Sequence, residues 1–196
     1  MSEVKIGGVI KFGNYDWLVL DVNDGNALII SNNIIEQREY NVKRKNVTWE
    51  KCTLRKYLNG EFLRKFSAAD RKKISETLIS NNNTWVSTDG GKDTKDKIFL
   101  LSLEEADKYF GNSGDYQNIK RINSKDEEDT KGHYLSNSHN DSRISKLDNG
   151  AFEWWLRSPG GVSDTAAFVE RKGFIFFNGC LVNGKFGVRP ALRLKL

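Results

Sequence analysis

Cysteine, proline, methionine and histidine are all scarce in this 196-residue chain, which has two Cys, two Pro, one Met and two His. The two cysteines, Cys52 and Cys180, stand far apart, without CxxC spacing or a Cys/His neighbour. That excludes a disulfide framework and a zinc ribbon, and both read as separate, mostly buried thiols. His133 and His139 fall in a polar stretch, so no metal site is expected. No apolar run nears the ~18 residues of a membrane span. The opening "MSEVKIGGVI" lacks the apolar centre of a signal peptide, so a cytoplasmic or virion-borne protein is expected. Also missing are a Ser-His-Asp set, HExxH, a Walker loop and a GxGxxG in a βαβ setting. No carboxylate sits in an apolar setting that would raise its pKa. A non-enzymatic protein without a cofactor is the expectation.

Blocks of one charge are missing too. The net charge of +5 and a pI near 9.1 invite a nucleic-acid partner. Yet Lys and Arg alternate with Asp and Glu, as in "LRKYLNGEFLRKFSAADRKKISE" (54–76). That is the pattern of a solvated helical face, and no nucleic-acid partner is expected.

Aromatics are plentiful, with five Trp, eleven Phe and six Tyr. That rules out global disorder, because disordered chains are poor in them. The stretch "GGVIKFGNYDWLVLDVNDGNALIISNN" (7–33) holds three strand-like runs, the last two joined by an Asp-Gly hairpin signal. Val9, Trp17, Val19, Leu28 and Ile30 are the core candidates there. Leu54, Tyr57 and Leu58 have helical spacing, with Thr53 as N-cap and Asn59-Gly60 as the stop. Ser67…Asp70 and Ser102…Glu105 are capping boxes, the second following a strand "KIFLL" (97–101).

One domain over 1–196 is expected, with strands and helices in 1–110, a polar loop in 111–150 and a signature sheet in 151–196. The polar composition of the loop predicts mobility over 120–145, with first proteolytic cuts at Lys125, Lys131 or Arg143. The C-terminal part reads as strands over 151–158, 165–171, 173–179 and 185–196.

Two clusters there carry both prolines: "EWWLRSPGG" (153–161) and "FGVRPALRLKL" (186–196). Strand alternation sends Trp154 and Trp155 to opposite faces, one into the core and the other to solvent or a second layer. Arg157 and Arg189 read as structural arginines, buried staples whose planar donors satisfy loop carbonyls. Phe174 and Phe176 share one face and should point outward. There they would mark a ligand surface, a contact with a second copy of the chain, or the underside of the polar loop.

These clusters, with "AAFV", "FGNYDWLVLDV", "VTWEKCTLRKYLNGEFLRKFS" and "KIFLLSLEEADKYF", resemble an uncharacterised bacterial and phage domain family, DUF6273-like, with a WWLRSPG…GVRPAL signature. Only 111–150 departs, being longer and more polar. The closing GVRPAL is distantly similar to the end of formylglycine-generating-enzyme-type, C-type-lectin-like domains. The resemblance implies an α+β, C-type-lectin-like mixed fold with short helices and a twisted antiparallel C-terminal sheet. It also implies a ligand- or protein-binding module with a protein or glycan as partner. Trp154, Trp155, Phe174, Phe176, Asn178, Asn183 and Lys185 are its candidate ligand contacts, along a stretch that includes Leu181. A structural component of a phage or surface assembly is the alternative, with a second copy of the chain (a homo-oligomer) among the candidate partners. A formylglycine-generating enzyme would need a local cysteine pair that is missing here. The EPN, QPD and WND signatures of calcium-dependent lectins are missing too.

Overall fold

Asp24 and Gly25 take φ angles of 48° and 70°. A two-residue hairpin needs this left-handed pair, since it matches the twist of the flanking strands. The turn sits in a computed structural model that describes residues 4–83, 85–111 and 134–196. The first strands are β1 (Val9–Phe12), β2 (Tyr15–Asn23), β3 (Asn26–Ser31) and β4 (Glu36–Glu39). A 3-10 turn at Trp49–Lys51 leads into helix α1 (Thr53–Tyr57), which continues as a π turn over Leu58–Phe62. Helix α2 (Ala68–Lys73) is followed by β5 (Ile74–Ser75), β6 (Thr77–Ile79), β7 (Thr94–Asp96) and helix α3 (Leu103–Phe110). After β8 (Tyr134–Leu135) and helix α4 (Asn140–Arg143) come β9 (Lys146–Leu147) and β10 (Gly150–Ala151). The chain closes with β11 (Trp154–Pro159), β12 (Thr165–Val169), β13 (Ile175–Leu181), β14 (Lys185–Val188) and β15 (Ala191–Lys195). The fold is α+β.

Two larger sheets organise it. One has the order β1-β2-β3-β15-β5, the other β4-β14-β11-β12-β13-β8. The chain crosses from the second to the first at Arg189-Pro190. Pro190 has no N–H to give to a ladder, and its carbonyl accepts the Ser31 N–H at 2.9 Å. The last strand therefore pairs with β3, from Ala191↔Ile30 to Lys195↔Asn26. Every residue of β11 and β12 is buried, as are Trp17, Ile29, Ile98, Trp154 and Val169. One hydrophobic cluster thus joins residues from both ends of the chain.

Several expectations are corrected. The C-terminal sheet is mixed, because β11 and β14 run parallel at Trp154↔Gly187, and the run 185–196 divides between two sheets. Val9 is 54% exposed, on an edge strand, while Trp17, Val19, Leu28 and Ile30 are in the core. The N-cap of α1 is Cys52, whose Sγ accepts the Arg55 N–H; the Thr53 hydroxyl instead accepts the Val42 N–H at 3.0 Å. Asn59-Gly60 does not end the helix. The Asn59 amide is spent across the fold, donating to Ile98 O at 2.8 Å and accepting from Lys97 N at 2.8 Å. "KIFLL" is not a strand: it meets one sheet through a bridge from Phe99 to Ala191 and the other through Leu101 O, which accepts the Arg157 N–H at 2.8 Å.

The polar loop is corrected in part. Residues 134–150 form β8, α4 and the β9–β10 hairpin. Arg143 is wholly buried, donating from Nε to Gly173 O at 2.7 Å. Such burial disfavours a first cut at Arg143. The expectations for 120–133, with Lys125, Lys131 and His133, lie outside the described residues.

Candidate functional site

In "EWWLRSPGG" the alternation of β11 separates the two tryptophans. Trp154 pairs with Val169 and turns into the core, where its indole N–H donates to Arg143 O at 3.1 Å. Trp155 turns to the other face and donates to Arg38 O at 2.9 Å. Neither ring meets solvent. Trp155 is covered by Phe186, stacked with centroids 4.4 Å apart, and by Tyr40 at 5.8 Å. Both tryptophans are removed from the surface expected for a ligand contact, because a second aromatic layer closes over the one that leaves the core.

The two arginines are held differently. Arg157 is 4% exposed; Nη1 donates to Leu100 O at 2.9 Å and Nη2 to Ser80 O at 3.0 Å. Both forks also reach Glu105, Nη1 to Oε2 and Nη2 to Oε1. Glu105 is the N3 residue of the α3 capping box, so one carboxylate closes a helix end and neutralises a buried cation. Arg189 is 2% exposed, with Nε to Ser31 O at 2.9 Å and Nη2 to Asn32 O at 3.3 Å. Its guanidinium lies 4.9 Å from the Phe110 ring and 5.1 Å from Trp154. Burial pulls Arg189 down to about 9, which still leaves it charged at neutral pH. Carbonyls and two ring faces solvate that charge.

The Ser-Pro-Gly-Gly stop has its own geometry. A Cβ on Gly160 would lie 2.2 Å from Asn178 O and 2.3 Å from the Thr165 hydroxyl. Only glycine lets the turn approach β13 this closely. Asn178 O accepts from the Gly161 N–H at 2.9 Å and from the Thr165 hydroxyl at 3.2 Å. The structure therefore places Asn178 in the turn scaffold. Asn183 is exposed in the β13–β14 turn, and exposed Lys185 lies 3.9 Å from Glu39.

Phe174 and Phe176 do face outward, half-buried, while Ile175 and Phe177 enter the core. Beside them runs a row of rings that composition alone does not display. Cross-strand register carries it from Tyr134 on β8 to Phe176 on β13 and Phe168 on β12, then to Trp155 on β11. Phe186 on β14 extends it, 4.8 Å from Phe168. Tyr134 stacks on both Phe174 and Phe176, at 5.6 and 5.4 Å, with planes 18° and 21° apart; Phe168 and Phe176 are 5.2 Å and 18° apart. Such spacing follows that of adjacent strands: Tyr134, Phe174, Phe176 and Phe168 stack face against face, whereas Phe186 and Trp155 meet Phe168 with planes 64° and 82° away. Tyr134, Phe168 and Phe186 were not among the sequence candidates. The parity of "AAFV" and "KFGV" could have flagged the last two; Tyr134 sits in the stretch whose polarity concealed it.

Both cysteines are free thiols; Cys180 is half-buried, against the expectation, and Cys52 is buried. Burial pushes Cys52 up to about 12, overriding the N–H groups of Arg55 and Leu54 that favour its thiolate. A thiol so placed is not a nucleophile at neutral pH. Among the described residues no three of His, Cys, Asp and Glu gather as metal ligands. No helix among them is long and apolar enough to cross a membrane.

The sequence profile of the family described as a domain of unknown function (DUF6273) matches residues 24–196, and the chain belongs to that family. Neither the curated proteins nor the solved structures give a match.

Proposed function

We propose that this chain is a non-enzymatic binding module that holds a protein partner against the outer face of its C-terminal sheet. The observation that carries the reading is the aromatic row: five neighbouring strands place rings on one face, and Tyr134, Phe174, Phe176 and Phe186 are partly exposed. Exposed aromatics grouped in this way are a signature of contact surfaces. The stacking geometry favours protein over glycan. A sugar ring needs the free face of an aromatic, whereas Tyr134, Phe174, Phe176 and Phe168 turn faces to one another. An apolar strip of packed rings suits the side chains of another polypeptide. Exposed Asn183 and Lys185 supply the polar rim.

The scaffold reads as C-type-lectin-like. In support, the final strand returns to pair beside the N-terminal hairpin, helices are short, and two sheets enclose one core. Residues 1–196 then act as one domain. Such a scaffold carries binding residues on surface elements without altering the core, and no catalytic constellation is required.

Phe174→Ser with Phe176→Ser tests the reading. The double variant should fold, because Ile175 and Phe177 still fill the core side. Panning against a displayed peptide and protein library, alongside a glycan array, supplies the ligands. The expected result is protein ligands that lose at least about tenfold in affinity on the double variant, the scale of hot-spot aromatics. Saccharide ligands alone, or protein ligands indifferent to both substitutions, would overturn it.

A further inference from the structure

A cleft of about 480 Å³ lies on another part of the molecule, between β6, β15 and the first turns of α3. That volume is in the ~300–1,000 Å³ range of small-molecule sites. Arg157 and Glu105 contribute to its wall but neutralise each other. Lys108, Arg193 and Glu104 remain on the wall, and Asp21, in the same cross-strand row as Leu28 and Arg193, acts on Tyr109 from beside them. Arg193 is half-buried in β15, between β3 and β5. Among the described residues no hydrogen bond or ion pair engages its guanidinium. Beside it, Tyr109 is half-buried with its phenol pKa raised, chiefly by burial, so the hydroxyl stays a donor. Leu78 is 67% exposed at the same cleft, an apolar side chain that the fold leaves uncovered.

A half-desolvated guanidinium without a carboxylate suits a planar or tetrahedral oxyanion, which it can grip with two parallel N–H bonds. We propose that this cleft binds a small molecule with a carboxylate or phosphate on an apolar body, the oxyanion on Arg193 and Tyr109 and the body against Leu78. The site is separate from the aromatic row, and its ligand is of a different class from the proposed partner.

Isothermal titration of the full chain with benzoate, phenyl phosphate and benzyl alcohol tests it. At least one of the two anions should bind saturably, and the choice between them identifies the carboxylate or the phosphate. Benzyl alcohol, which keeps the ring and loses the charge, should not bind. Arg193→Gln should weaken the anion about tenfold or more, since a charge-assisted hydrogen bond is lost. Lys195→Gln, an exposed neutral-for-cation change on the same strand, should leave affinity unchanged. Amide shifts on titration should gather at Thr77, Tyr109 and Arg193, a readout that holds for the unmutated protein. Three results would overturn the proposal: no saturable binding of either anion, equal binding of the alcohol, or shifts gathered elsewhere.

Discussion

Arg157→Ala should lower stability by about 3 kcal/mol in urea unfolding, with the slope of the transition unchanged. The guanidinium serves four acceptors at once: Leu100 O, Ser80 O and both oxygens of Glu105. Truncation leaves carbonyls without donors, at about 1–3 kcal/mol for each that stays dry. It also leaves a carboxylate without its cation, the more severe half of breaking a buried pair. Glu105 keeps 30% of its side-chain exposure, so water recovers part of that loss and the lower end of the range applies. Arg157→Lys should recover little, because one ammonium cannot span Ser80, Leu100 and Glu105 together. An unchanged midpoint in Arg157→Ala, with loss of partner binding, would instead move Arg157 from the scaffold to the contact surface.

A second large effect is expected at Asp96. Its side chain is wholly buried and collects three donors: Trp49 Nε1 at 2.9 Å, Arg55 Nε at 2.7 Å and the Thr94 hydroxyl at 2.8 Å. These come from the 3-10 turn, from α1 and from β7 itself, so one carboxylate ties two elements to its own strand. Asp96→Ala should cost about 3–5 kcal/mol, because the Arg55 charge and the buried indole N–H lose their acceptor together. Asp96→Asn should cost less; it keeps one acceptor oxygen but turns an N–H₂ toward a donor. Equal midpoints for Asp96→Ala and the unmutated chain would show that water replaces the carboxylate and that the three elements are held by packing alone.

The local devices of this fold are written in short stretches. Asp24-Gly25 gives the hairpin, Ser102 and Glu105 give the helix start, and the parity of Phe174 through Phe177 gives the inner and outer faces. Each depends on a few neighbouring residues, so each can be read without the rest of the chain. What could not be read depends on distance. Nothing local says that β15 leaves the β14 sheet for β3, more than 150 residues earlier, or that β11 and β14 run parallel. Asp96 stands among lysines and a threonine in "DTKDK", like any surface carboxylate; only the folded chain brings Trp49 and Arg55 to it. Arg143 was hidden in the same way by the polarity of its neighbours. The site divides along that line as well. Alternation predicts Phe174 and Phe176, whereas the row they join requires cross-strand register with Tyr134, Phe168 and Phe186. Trp155 shows the reverse: alternation sends one of the two tryptophans outward, to solvent or a second layer, and only tertiary packing shows that it is Trp155 and that a second layer covers it.

In the proposed division of labour the signature residues build the scaffold and the outward rings are free for contact. Protease-resistance scanning of every single substitution on the displayed chain measures this most directly. Polar substitutions at Trp154, Arg157, Arg189 and Gly160 should abolish resistance, while the same changes at Phe174, Tyr134, Asn183 and Lys185 should be tolerated, costing about 1 kcal/mol or less. Serine at Phe174 and Tyr134 proving as damaging as serine at Trp154 would place those rings in the core and contradict the contact surface.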